Sequence, residues 1–125
     1  MTELKKPRIT VASGKAKGRR FQQWVRDYIL ACFPELEPDD VKSTSMGAGG
    51  EDVQLSPAAR KLLPVSVECK AKAKIAIYKD YEQATANAPT NMEPILFVKA
   101  DRQKPLAVVD AVYFLDMMKR VHNGR

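Results

Sequence analysis

Cysteine, histidine and tryptophan are scarce: the 125 residues contain two, one and one of them. Cys32 and Cys69 lie in apolar contexts without CxxC or Cys/His spacing, which argues against a disulfide framework and a structural zinc site. Both thiols read as small hydrophobes. His122, in a polar C-terminal stretch, has no neighbour at short range to position it as a base, so it is assigned no catalytic role. No apolar run approaches the roughly 18–20 residues of a bilayer span, and the charges before Pro7 lead into no hydrophobic stretch of the secretory kind. The expectation is a cytoplasmic protein without a membrane partner. Repeats and low-complexity tracts are also missing, so a single domain of alternating elements is expected.

What is present is a globular composition, 45% hydrophobic and 29% charged, with a formal net charge of +6. The charge is unevenly placed. Residues 1–20 hold Lys5, Lys6, Arg8, Lys15, Lys17, Arg19 and Arg20 against Glu3, while the remainder is balanced. Within that remainder, 27–40 is acidic, and 60–79 sets Arg60, Lys61, Lys70, Lys72, Lys74 and Lys79 against Glu68 alone. Such a distribution suits a polyanionic partner, because releasing counterions from phosphates supplies affinity without sequence readout; a solvated basic surface is the plain alternative. The expected organisation is a basic arm over 1–13, one domain over 14–121 and a tail over 122–125.

Hydrophobic spacing supplies the elements. Phe21, Trp24, Val25, Tyr28, Ile29 and Cys32 form one helical stripe, predicting a helix from about Lys15 to Phe33, N-capped by Ser13 and stopped by Pro34. Trp24 and Tyr28 are expected in the core rather than stacked on bases. A β-prone 41–46, a glycine-rich bend at 47–50, a short strand 53–55 and a turn or two of helix capped by Ser56 follow. Period-two alternation over 65–72 sets Val65, Val67, Cys69 and Ala71 on one face and Ser66, Glu68, Lys70 and Lys72 on the other. A helix over about 75–88 comes next, with Ile77, Tyr81 and Ala84 available for packing. A buried strand at 95–98, a turn at 101–105, a strand at 106–109 and a helix capped by Asp110 complete the chain. The order is α-β-β-β-α-β-β-α, an α/β or α+β domain with a mixed sheet covered by helices.

Three residues suggest chemistry: Asp52 after the glycine-rich bend, Glu68 within a strand, and Lys70 on the same face as Glu68. Carboxylates gather against their repulsion when a divalent cation neutralises them, and Mg²⁺ uses one or two carboxylates together with water and phosphate oxygens. Such a site suits phosphodiester cleavage, with Lys70 orienting water or stabilising phosphoryl charge. An isolated Glu-x-Lys is commonly a surface ion pair, so the order of the elements around it carries the reading. Glu51 competes with Asp52; alternation with Val53 and Leu55 inward favours Asp52. The glycine cluster lacks the Gly-Lys-Ser/Thr ending of a nucleotide-binding loop. Lys17, Arg19, Arg20, Lys72 and Lys74 are candidate phosphate contacts.

Four segments together resemble the PD-(D/E)XK nuclease superfamily, and within it the archaeal and phage Holliday junction resolvases. They are 17–21 (KGRRF), 45–53 (SMGAGGEDV), 67–70 (VECK) and 81–84 (YEQA), and the resemblance spans about residues 14–115. It implies a restriction-endonuclease-like core, metal ligation by Asp52, Glu68 and the main-chain carbonyl of Cys69, and Lys70 as catalytic lysine. It also implies Mg²⁺-dependent hydrolysis of branched DNA, with Mn²⁺ able to substitute, in recombination and repair. A homodimer engaging two strands is implied as well, in the host cytoplasm if phage-encoded. Where family members often carry a metal-contacting glutamate on the first helix, this chain has Gln22, which leaves one against two metals open. Gln83 matches a glutamine that can lie near the scissile phosphate; a helix-surface role is the alternative. A non-catalytic nucleic-acid-binding module of the same fold, and a related nuclease acting on flaps, forks or duplex DNA, are the competing functions.

Overall fold

The computed structural model describes residues 11–45 and 49–124, which form an α+β domain around one five-stranded mixed sheet. The elements in chain order are α1 (Val11–Cys32), a 3-10 turn (Pro38–Asp40), β1 (Val41–Ser43), β2 (Val53–Leu55), α2 (Pro57–Leu62), β3 (Val65–Lys72), α3 (Ile77–Asn87), β4 (Glu93–Ala100), β5 (Leu106–Val108) and α4 (Ala111–Asn123). Spatial strand order follows the sequence, and every pairing is antiparallel except β3 with β4. That pair is parallel because α3 carries the chain back across the sheet, as a parallel connection requires.

Alternation in β3 works as its residue types dictate. Val65, Val67, Cys69 and Ala71 pack under α1 with Phe21, Val25 and Ile29. On the other face Leu96 and Val98 of β4 meet Ala84, Tyr81 and Ile75 around α3. In β4, Ile95, Leu96 and Val98 are buried and Phe97 is half-buried, the pattern of a strand covered on both sides. Local signals are honoured where a side chain meets a specific backbone group: Ser56 Oγ accepts from Ala59 N at 3.1 Å to cap α2, and Asp110 accepts from Tyr113 N at 2.9 Å to cap α4. Asp40 accepts from Ser56 Oγ at 2.7 Å and from Glu37 N at 2.8 Å, tying the 3-10 turn to α2. Those bonds, the Ser56 one foremost, hold its carboxyl below the usual range.

Several expectations need correcting. The helix α1 already includes Val11, so Ser13 lies inside it rather than ahead of it and residues 11–13 are helical; the basic residues Lys5, Lys6 and Arg8 lie outside the described residues. Trp24, Tyr28 and Cys32 are exposed, not core. The reason is geometric: Phe21, Val25 and Ile29 form one i, i+4 ridge that meets the sheet, whereas Trp24, Tyr28 and Cys32 form the next ridge, which overhangs it. Ile77 is exposed at the first turn of α3, ahead of the buried Asp80 and Ala84. The element order also contains α2, and α4 continues through His122 and Asn123, so the 122–125 tail begins as helix.

Candidate functional site

The sheet itself opens the site. The strand β2 is registered with β3 at Val53 and Val67, and Asp52 N donates to Val67 O at 2.9 Å; beyond Val67 the edge of β3 has no β2 partner. Gly50, at φ +86, makes the left-handed turn that leads the chain to Asp52 at this opening. Asp52 Oδ2 accepts from Cys69 N at 2.7 Å, so the carboxylate takes the place of the missing strand. In a strand the N–H and C=O of one residue point to the same edge, which puts the Cys69 carbonyl on the Asp52 side.

Glu68 is 3% exposed, its carboxylate held against Asn87 Nδ2 (3.2 Å to Oε1) and Lys70 Nζ (3.7 Å to Oε2). Burial raises the pKa of both Asp52 and Glu68; the negative charge of Asp52 raises Glu68 further, against the lowering effect of Asn87 and Lys70. The Cys69 thiol is pushed up by burial and then by the two carboxylates, which keeps it neutral and unsuited to act as a nucleophile. The result is two adjoining desolvated carboxyl groups with a half-buried ammonium beside them. Such a donor set fits a hard divalent cation, since oxygen ligands and offset charge are what Mg²⁺ requires.

Glu51 points elsewhere, forming an ion pair with Arg60 of α2, while Arg60 Nη1 donates to Val65 O at 3.2 Å. Gln22 is buried, but its Nε2 donates to Ser43 Oγ at 2.7 Å and to Thr44 O at 2.5 Å, so it fastens α1 to the end of β1 and contacts neither carboxylate. Gln83 is exposed one turn before Asn87, and its side chain makes no hydrogen bond to a described residue. Lys72 is paired within the fold, its Nζ 3.0 Å from Oδ1 and from Oδ2 of the buried Asp80. Lys17 is similarly engaged, 2.6 Å from Asp101. Arg19, Arg20 and Lys74 are exposed. Asn87 and Asp80 are the polar residues of this region that sequence reasoning missed. A register from Asp80 through Ala84 to Asn87 (i, i+4, i+7) on one helical face was the signal available for both.

Among the described residues no cluster of three or more His, Cys, Asp or Glu side chains capable of holding a metal is present, so any cation here would rest on two carboxylates and main chain. No described helix is long and apolar enough to cross a membrane. No family model matches the chain, nor does any curated protein or solved structure.

Proposed function

We propose that this protein is a Mg²⁺-dependent DNA endonuclease that hydrolyses phosphodiester bonds in branched DNA, four-way junctions foremost. One observation supports the reading above all: Asp52, Glu68 and Lys70 converge where β2 leaves β3, although burial and mutual repulsion disfavour two carboxylates there. Asp52, Glu68 and the Cys69 carbonyl would hold the cation, which when bound supplies Lewis acidity and a lowered pKa for water. Lys70 contributes a cation that can hold a phosphoryl oxygen or orient the attacking water. Asn87 fixes one Glu68 oxygen so that the other faces Lys70. Because Gln22 adds no negative charge for a second cation, a single cation per site is the arrangement these residues favour.

Junction resolution needs two incisions related by symmetry, which a C2 dimer provides. The apolar groove of about 530 Å³ between α1, β5 and α4 suits a second copy as its occupant. The helix α4 buries no residue, and Val112, Phe114, Leu115, Met117, Met118 and Val121 are exposed on it. Tyr28, Leu62 and Leu106 are exposed apolar residues lining the groove itself.

The test is cleavage of four-way, forked, flapped and linear DNA at fixed salt with Mg²⁺. Junction cleavage by the native chain, reduced at least about 100-fold in Glu68→Gln and Lys70→Ala, is expected from the loss of charge stabilisation. Cleavage persisting in both variants rules out this site. The competing reading, a non-catalytic nucleic-acid module, draws on the neutral Gln22; calorimetry with no Mg²⁺ or Mn²⁺ binding beside salt-sensitive DNA binding would select it.

A further inference from the structure

A second cleft, of about 580 Å³, lies on the α1 side of the sheet, lined by Lys17, Arg20 and Trp24 of α1, Lys99 of β4, and Asp101 and Arg102 of the β4–β5 turn. It is on the opposite face from Glu68 and Lys70, because Lys99 pairs in register with Ala71, which packs under α1. Its charge is unbalanced. Asp101 is the one acid lining it, and Lys17 already neutralises that acid; Arg20, Lys99 and Arg102 have no carboxylate partner among the described residues. Trp24, 45% exposed, is braced by Phe21 at 6.0 Å and Tyr28 at 5.3 Å between ring centroids, a rigid aromatic wall at the boundary with the apolar groove.

The backbone of the turn singles out Arg102. Among the described residues two turns close by an i→i+3 hydrogen bond with a left-handed third residue: Met92 N to Pro89 O with Asn91 at φ +67, and Gln103 N to Ala100 O with Arg102 at φ +62. Cβ crowds the following carbonyl in that conformation; asparagine offsets this with a short amide that hydrogen-bonds the local backbone, and arginine has no such compensation. A strained position kept by a long cation at the mouth of a basic cleft suggests that the guanidinium is wanted there.

We propose that this cleft binds single-stranded DNA, with backbone phosphates on Arg20, Lys99 and Arg102 and a base against Trp24. The combination is that of single-strand binding sites, where cations track the backbone and an aromatic ring takes a base of any identity. Duplex DNA fits less well, because its stacked bases present no face to the indole. The site needs no metal, so it stands whether or not the carboxylate site cleaves DNA.

Trp24 is the sole tryptophan, so its fluorescence reports on the cleft directly. Titration with an oligothymidylate of about 15 nucleotides in EDTA should quench it saturably, with weaker binding as salt rises. With a labelled oligomer followed by anisotropy, Lys99→Glu, Arg102→Gly and Trp24→Ala should each weaken binding about tenfold or more, while Lys61→Glu, on α2 outside the cleft, should change it less than about threefold. Arg102→Gly should lose binding while keeping or raising the melting temperature, since glycine removes the strain; this separates a lost contact from a damaged fold. The proposal is overturned by absent quenching, by equal affinity for duplex of the same length, or by Lys61→Glu matching Lys99→Glu.

Discussion

Glu68 is in conflict with its surroundings. Its carboxyl is buried, adjoins Asp52, and is offset only by Asn87 and a lysine 3.7 Å away. A carboxyl whose folded pKa is raised binds its proton more tightly in the folded state than in the unfolded one. Stability from this residue is therefore fully present below the ordinary carboxylate range and is lost as pH rises from that range through the raised folded value. Glu68→Gln keeps an acceptor for Asn87 and removes the charge. Its expected effect is a gain in stability at neutral pH that shrinks as pH falls toward the ordinary carboxylate range, read by denaturant unfolding across pH. Mg²⁺ should raise the melting temperature of the native chain and leave that of Glu68→Gln unchanged; an equal rise in both would place the cation elsewhere. Lys72 and Asp80 show a different balance, since Asp80 is buried and Lys72 is the one cation paired with it among the described residues. Lys72→Met should cost about 1–3 kcal/mol, discounted for the exposure of the lysine, by leaving a buried carboxylate unpaired.

Elements here are set by short local signals and placed by longer-range packing. Asp110→Ala removes the side-chain acceptor for Tyr113 N and should cost about 1 kcal/mol, visible as fraying of α4 by hydrogen exchange. Period-two alternation in β3 was legible because each face meets a different partner, α1 on one side and α3 on the other. The stripe on α1 was less so: hydrophobic spacing cannot separate a ridge that meets the sheet from its neighbour that overhangs it, and Trp24, Tyr28 and Cys32 belong to the second. Gln22 belongs to a third ridge with Arg26, whose Nε donates to Val41 O at 2.8 Å, and this ridge fastens α1 to β1.

Across the whole molecule the exposed apolar surface is concentrated on α4 and the groove beside it. Under the proposed assembly, Leu115→Glu together with Met118→Glu should shift sedimentation from dimer to monomer at micromolar concentration while leaving Mg²⁺ binding intact. A chain that sediments as a monomer before any substitution would remove the dimer, and with it paired incision at junctions. The net charge of +6 has several destinations. Lys17 and Lys72 are spent on ion pairs within the fold, Lys70 faces Glu68, and Arg20, Lys99 and Arg102 gather in a cleft that no run of sequence displays.

The sequence by itself determined most of the elements, two helix caps and the two faces of β3, because each depends on neighbours within a few residues. Only tertiary structure decided which polar groups meet. Asn87 reaches Glu68 from 19 residues away, Asp52 reaches the Cys69 amide from 17, and Lys17 reaches Asp101 from 84. Such contacts follow from how helices cross the sheet, and side-chain pairing over those separations leaves no periodicity for the sequence to display.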